Sequence, residues 1–391
     1  MPSAPEQTSR PIATPGRRVL LVAPVPPPYG GMALQAGQIH QQLSNDGVPT
    51  TLFGTNFRLP RWVRFAEKIP VVRTVIRSLL IWPKLFSAVR RCDVLHVLAS
   101  SWEYFFLVVY PAVILGRLSR RWVVVNYRGG EADRFFRRYG WIIWPVFRMS
   151  DRITAPSRFV ADILSHRFGA SVSIVPNILN SRIFRFRTRA FLRPKLVVTR
   201  HLESTYDIPT ALKAFRRVQG KYREASLWIA GTGSQEGALR NMVSEWNLKN
   251  VRFLGRVDHA RLAEIYDQCD ILLNASTVDN FPGALIEASA AGLAVVSTAA
   301  GGIPFIYENR RSALLVQPGD WEGLAAGVEE LLESPALAAG IIAEAAAIAR
   351  ACDWAEVRKP LYRSYGLSIG DSEERGEPAC ENAAQAHRER A

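Results

Sequence analysis

Cysteine, histidine and long apolar runs are all scarce in this chain, and each scarcity excludes something. The 391 residues hold four cysteines, Cys92, Cys269, Cys352 and Cys380, widely separated and without a C-x-x-C pair. That pattern builds neither a disulfide framework nor a zinc site, and it suits a reducing compartment. Six histidines occur, none in a metal-ligand cluster, and there is no D-x-D sequence. No resident metal is expected. The apolar run Tyr104 to Gly116 contains Pro111 and falls short of the ~20 residues that a helical span needs. Val19 to Val25 is shorter, follows a polar Pro-rich tail and stops at Pro26-Pro27-Pro28. Neither a signal peptide nor a membrane span is expected. The loop after the first strand is not G-x-G-x-x-G, so dinucleotide binding loses its main support.

What the chain has in excess is positive charge. Lys and Arg number 49 against 35 acids, giving +14 and a pI near 10.0. Nucleic acid, an anionic membrane or an anionic substrate could each account for it. The basic residues crowd Arg58 to Arg91, Arg117 to Arg158 and Arg182 to Lys195, while the chain after Asp258 is near balance or acidic. Arg58 to Arg91 interleaves apolar and basic residues at helical spacing, broken by Pro70 and Pro83. It reads equally as an interfacial helix on an anionic membrane or as a core-packing pair with a solvated basic face. No nucleic-acid recognition module is visible.

With 48% hydrophobic residues over this length, two α/β domains are expected. Residues 1–16 and 368–391 read as disordered tails. Arg18 to Ala23 is a first buried strand, followed by a turn at Pro28-Tyr29-Gly30-Gly31 and a helix from Met32 to Leu43. Asp93 to Ala99, Arg121 to Asn126, Arg152 to Ala155 and Ser173 to Val175 continue the strands, with Ser157 capping a helix. Ser181 to Pro194 is irregular and basic, the expected linker between a domain at 17–180 and another at 195–352. Strands then recur at Lys195, Ala225, Val251 and Ile271, alternating with helices. Ala326 to Arg350 is an Ala-rich helical region. A last helix, within 353–367, is expected to pack back on the first domain.

The chain is organised around Asn274 to Gly302. Asp279-Asn280-Phe281-Pro282-Gly283 is a turn that feeds a helix carrying Glu287. A helix N-terminus presents unpaired amides and a positive dipole end, which suits a phosphate. Asp279 and Glu287 lie eight residues apart, so one acid sits by the loop and the other about a turn deep. Sugar hydroxyls would give both carboxylates donors. On spacing alone, an ordinary βα turn with a solvated Glu287 fits slightly better.

Set in order along the chain, the motifs resemble the retaining glycosyltransferases of family 4. Trp228 to Gly233, Val251 to Val257, Asp279 to Ala288, Ala299 to Pro304 and Leu314 to Asp320 carry the likeness in the second half. Pro28 to Ala33, Asp93 to His96 and Val175-Pro176-Asn177 carry it in the first. The resemblance covers about residues 18–367 and implies the GT-B fold: two doubly wound parallel-sheet (Rossmann-like) domains facing across a cleft. It implies that Glu287 binds the ribose of a nucleoside diphosphate sugar, UDP- or GDP-linked. Asp279 would hold the transferred sugar, with Arg200 a cation beside the diphosphate. Asn280, Phe281, Pro282, Gly283 and Leu285 would form the phosphate-binding turn. Gly30, Gly31, Gly231, Gly233 and Arg256 would complete the donor site.

Such enzymes need no metal and no cofactor. Three positions depart from the family pattern. Asp279 stands where a Glu is usual, and Tyr206 falls where a phosphate-binding Lys is usual. Arg128 occupies the loop where a His is frequent, and it could clamp an anion or a sugar hydroxyl but not act as a base. His96 reads better as a core histidine than as a catalytic one. The expected activity is transfer of a hexosyl group to a lipid-linked or saccharide acceptor in cell-surface glycan synthesis. It would take place at the cytoplasmic face of the cell membrane, through the basic first half and without nucleic acid. A GT-B epimerase acting on the nucleotide sugar, or a non-catalytic nucleotide-sugar-binding scaffold, are the alternatives.

Overall fold

A computed structural model of the chain describes residues 16–27, 30–56 and 70–367. The expected tails, the Pro28-Tyr29 part of the first turn, the start of the basic segment and Cys380 lie outside the described residues. The first domain runs β1 (Val19–Ala23), α1 (Gly31–Asn45), β2 (Thr50–Gly54), α2 (Pro70–Arg90), β3 (Val94–Ala99), α3 (Tyr110–Leu118) and β4 (Trp122–Tyr127). It continues with α4 (Ala132–Arg148), β5 (Arg152–Ala155), α5 (Arg158–Phe168) and β6 (Val172–Ile174). Its six strands are all parallel, in the order β2-β1-β3-β4-β5-β6. The β-branched runs of β1, β3 and β4 are covered on both faces. Leu20, Val22, Leu95, Val97, Val123 and Val125 are all buried, each worth about 1.5–3 kcal/mol of transfer free energy.

The second domain repeats the scheme: β7 (Lys195–Thr199), α6 (Ile208–Lys221), β8 (Ser226–Ala230), α7 (Glu236–Glu245), β9 (Val251–Gly255), α8 (His259–Gln268) and β10 (Ile271–Asn274). Then follow α9 (Gly283–Ala290), β11 (Ala294–Thr298), β12 (Leu314–Val316), α10 (Trp321–Glu333) and α11 (Pro335–Arg350). Its strand order is β12-β11-β10-β7-β8-β9. The fold is therefore two doubly wound α/β domains of GT-B type. The order reverses between β1 and β3 in one sheet and between β7 and β10 in the other. Ligand crevices of open parallel sheets form at such reversals, beyond the strands' carboxyl ends.

The final helix, α12 (Trp354–Tyr365), leaves the second domain and buries Val357, Leu361, Tyr362 and Tyr365 with Val19, Leu21, Val94 and Val124 of the first. Trp354 Nε1 and Tyr362 Oη both donate to Asp46 Oδ2, at 2.9 and 2.7 Å. Tyr365 Oη lies 2.6 Å from Nδ1 of His96.

Four local features differ from the sequence expectation. Pro83 does not break its helix: α2 runs through it, with Pro83 on an exposed position. β2 is an additional edge strand at the short run Thr50–Gly54. The Ala-rich region is two helices, and the first starts at Trp321 because Asp320 Oδ1 accepts from the Gly323 amide at 2.8 Å. In the linker, three arginines are tied to one buried acid. Arg187, Arg189 and Arg193 converge on the buried carboxylate of Asp270. That carboxylate is held at about 2: burial opposes its charge, but hydrogen bonds and charge from Arg193 and Arg187 outweigh it. The charge of these three residues is structural.

Candidate active site

Arg200 directly follows β7, and Asn274 ends β10, so the two meet at the reversal of the second sheet. Arg200 Nε donates to Asn274 Oδ1 at 2.9 Å, and Nη2 donates to Asp279 Oδ2 at 2.8 Å. Asn274 is anchored in turn: Ser276 Oγ donates to its Oδ1 and its Nδ2 donates to Ser297 Oγ, at 2.8 and 2.9 Å. Tyr206 lays its ring 5.3 Å from the guanidinium carbon. Tyr206, which stands where the family pattern usually has a Lys, thus covers a face of Arg200, which adds orientation and no charge. Asn274 was not among the expected site residues. Its signal was a polar amide ending an otherwise apolar buried strand.

The Asp279 loop is threaded over a second turn. Gly302 donates its amide to the Asp279 carbonyl at 2.8 Å. A Cβ on Gly301 would lie 2.1 Å from that oxygen, and one on Gly302 2.0 Å from the Asn280 carbonyl oxygen. These two glycines exist for close backbone approach. The loop ends at Pro282, the N-cap of α9. Among the five residues expected to bind phosphate by backbone amides, two are corrected. Pro282 has no N–H, and the Leu285 amide already bonds to the Pro282 carbonyl at 3.1 Å while its side chain is wholly buried in the core. Among the described residues, the Gly283 and Ala284 amides are not taken up by other protein groups. They are the N–H donors at the positive end of α9.

One turn on, Glu287 reaches a narrow cavity between the domains. Its walls include Gln35 and Asn177 from the first domain, and His259, Phe281 and Gly283 from the second. About a fifth of the Glu287 side chain (22%) is exposed. Removal from water pushes its carboxyl up to about 7, against the opposing pull of Arg200. His259 Nε2 stands 3.8 Å from its Oε1. Gln35 is held for this wall: its Oε1 accepts from Ile178 N at 2.8 Å and its Nε2 donates to Ile178 O at 3.0 Å.

On the first-domain side, Gly30 caps α1 and Gly31 begins it, both with open space where a Cβ would stand. Arg128 follows β4. Its Nη1 donates to Asn126 Oδ1 at 3.1 Å, and its Nη2 bonds Asn177 Oδ1. Asn280 serves the domain junction: Ser157 Oγ donates to its Oδ1 at 2.6 Å, and its Nδ2 donates to the Arg128 carbonyl at 3.2 Å. His96 is wholly buried between β1 and β4 strands and pushed down to about 3, by burial first and the Arg128 charge second. It is a neutral core residue.

The remaining donor-site residues are placed as follows. A Cβ on Gly231 would lie 1.9 Å from the Arg200 carbonyl oxygen, and one on Gly233 2.3 Å from that of Leu202. Both glycines are accounted for by the chain carrying Arg200. Arg256 is exposed just beyond β9 and is not in the wall of the Glu287 cavity.

The arrangement offers a cation–carboxylate pair, two helix-end amides and a desolvated carboxyl grouped around the start of α9. That set can hold a diphosphate and hydroxyl-bearing rings on either side of it. Comparison with known proteins bears on this. Residues 29–183 match the family described as Glycosyltransferase Family 4, and residues 183–347 match Glycosyl transferases group 1. The chain is similar to a glycogen synthase of Mycobacterium tuberculosis, 28% identical over 269 residues, 63% of this chain and 62% of that protein. It is also similar to a phosphatidyl-myo-inositol mannosyltransferase of Mycolicibacterium smegmatis, 28% identical over 179 residues and 46% of each. It spans less than two thirds of the length of these relatives. Among solved structures, Anabaena HepE in complex with UDP and glucose superposes with a TM-score of 0.68 at 15% identity, over 90% of this chain and all of that one. The sucrose-phosphate synthase of Thermosynechococcus elongatus gives 0.70 at 18%, over 89% and 98%.

Proposed function

From the premise that the chain is a GT-B glycosyltransferase, a family 4 half joined to a group 1 half, we propose that it moves a hexosyl group from a nucleoside diphosphate sugar to a lipid-linked or saccharide acceptor, with retention of configuration and without a metal. The observation that carries this reading is the grouping of the Arg200–Asp279 pair, the first amides of α9 and Glu287, whose carboxyl lines a cavity with Gly283 and lies within reach of the Arg200 charge.

In this reading Glu287, as a carboxylate, accepts hydrogen bonds from the ribose hydroxyls. The Gly283 and Ala284 amides and Arg200 face the diphosphate. Asp279 holds hydroxyls of the sugar while keeping Arg200 in place. As the C1–O bond to the diphosphate breaks, its electron pair leaves on the phosphate oxygen. Donors fixed beforehand by Asn274 and Tyr206 stabilise that charge without reorganising. The acceptor oxygen bonds to C1 on the same face, and its proton passes to the departing diphosphate.

The proposal sets the enzyme against the inner face of a membrane. The first domain exposes Trp82, Phe86 and Trp141 beside Arg90, Arg134, Arg137 and Arg138. Such a mixture suits an anionic headgroup layer. Among the described residues no single helix is long and apolar enough to cross it.

The test is release of UDP or GDP from a panel of sugar nucleotides, with a membrane extract as acceptor source, by wild type and Glu287→Ala. Donor- and extract-dependent release by wild type, lost in the variant, is expected. A folded wild type that consumes no donor overturns the enzyme reading, and donor binding without turnover favours a scaffold.

A further inference from the structure

Arg128 is a cation that has no anion beside it among the described residues. It is largely enclosed, and burial lowers its guanidinium to about 10. No Asp or Glu among the described residues pairs with it; its side-chain partners are the neutral amide oxygens of Asn126 and Asn177. By contrast, the buried Arg189 has Asp270, and Arg200 has Asp279. An enclosed charge without a counter-ion costs stability unless a ligand supplies one.

Its neighbours point the same way. Asn126 is wholly buried, and among the described residues its Nδ2 donor has no partner; Nε2 of the buried His96 has none there either. The location is equally specific. The Arg128 carbonyl accepts from Asn280, the residue after Asp279, and a Cβ on Gly130 would lie 3.8 Å from the Val278 side chain on the same loop. Asn177, its other partner, is in the wall of the Glu287 cavity. Arg128 thus sits on the first-domain side of the junction, bonded through its carbonyl to the Asp279 loop and through its side chain to the wall of the Glu287 cavity.

We propose that Arg128, with the Asn126 amide, forms an oxyanion subsite for a sugar carboxylate, so that one of the two sugars joined in this cleft is a hexuronate. This rests on the glycosyltransferase reading and narrows its substrate class. A planar guanidinium pairs with a planar carboxylate through two N–H donors, a geometry that a hydroxyl cannot use. The acidic sugar can come from the donor or from the acceptor, and the two sources are separable.

The experiment measures affinity of the full chain for UDP, UDP-glucose, UDP-glucuronate and UDP-galacturonate by calorimetry, with GDP, GDP-mannose and GDP-mannuronate in parallel. Wild type and Arg128→Gln are compared, with folding checked by circular dichroism. If the donor supplies the carboxylate, wild type binds a uronate about ten- to hundredfold tighter than its neutral counterpart, and the preference falls toward one in the variant. If the acceptor supplies it, a neutral donor is used, and free glucuronate or galacturonate inhibits wild type far better than it inhibits Arg128→Gln. Nucleotide binding with no uronate preference and no uronate inhibition in wild type itself overturns the subsite and leaves the glycosyltransferase reading standing. No binding of any nucleotide by folded wild type removes that reading as well.

Discussion

Glu287 is poised at a cost. Its carboxyl is pushed up to about 7 from the ordinary 4.5, so between those values the folded chain binds a proton that the unfolded chain has released. Stability of the ligand-free protein therefore falls as pH rises through that window, and the loss is complete above about 7. Glu287→Gln removes the titration. At pH 8 it should raise the unfolding free energy by about 2–3 kcal/mol, and at pH 4.5 it should change it little. Chemical denaturation at the two pH values checks this; equal effects at both would show that the carboxyl is not desolvated. Binding by hydroxyl donation needs the carboxylate, so the same variant should lose donor affinity. Individual residues were legible to different degrees. The eight-residue spacing and the ordered motifs pointed to Glu287 and Asp279. The mutual grip of Arg200, Asn274 and Asp279 was not legible, because it joins the ends of β7 and β10, which only sheet order makes neighbours.

At the scale of elements, what positions the site is backbone crossing backbone. Gly302→Ala puts a methyl into the Asn280 carbonyl. Overpacking of this kind costs about 1–3 kcal/mol, and relief by moving the loop would displace Asp279. The expected result is a lower Tm with donor affinity reduced more than nucleotide affinity. Loss of stability with unchanged sugar discrimination would show that the crossing does not govern the loop. Arg189 acts on the other end of the same helix. Nearly all enclosed, it donates to the carbonyls of Ala291 and Gly292 beyond α9 and of Tyr266 and Cys269 at the end of α8. Arg189→Met leaves these acceptors and part of Asp270 unpaired and should cost about 3–5 kcal/mol, measured by urea unfolding. A loss under 1 kcal/mol would mean that water replaces it. In sequence Arg189 was one arginine of a basic run. Composition cannot separate a solvated cation from one that caps two helices, since the difference lies in Asp270, over 80 positions away. Helix ends were readable where a side chain marks them, as at Ser157, and were missed at Asp320, where the cap closes a Gly-bearing loop.

At the scale of the molecule, alternating strands and helices made two parallel sheets legible, because buried parallel strands read as short β-branched runs. The return of α12 to the first domain places Tyr365 on His96 and Trp354 on Asp46, so the two halves are tied at a point far from the cleft in sequence. Charge is divided unequally: the arginines of α4 face outward, whereas three of the linker are tied to buried Asp270 and one of them, Arg189, is itself buried. The full chain should bind vesicles containing phosphatidylglycerol and release them as salt is raised, with Trp141→Ala weakening the binding about tenfold. Equal binding to neutral vesicles, or none to anionic ones, would remove the membrane face from the proposal. The donor grip is tested most directly by titrating sugar nucleotides into wild type at pH 6 in two buffers of different ionisation enthalpy. Binding to the Glu287 carboxylate should release most of one proton, and Glu287→Gln should bind far more weakly and release none. Tight donor binding that releases no proton from wild type and survives unchanged in Glu287→Gln would contradict it.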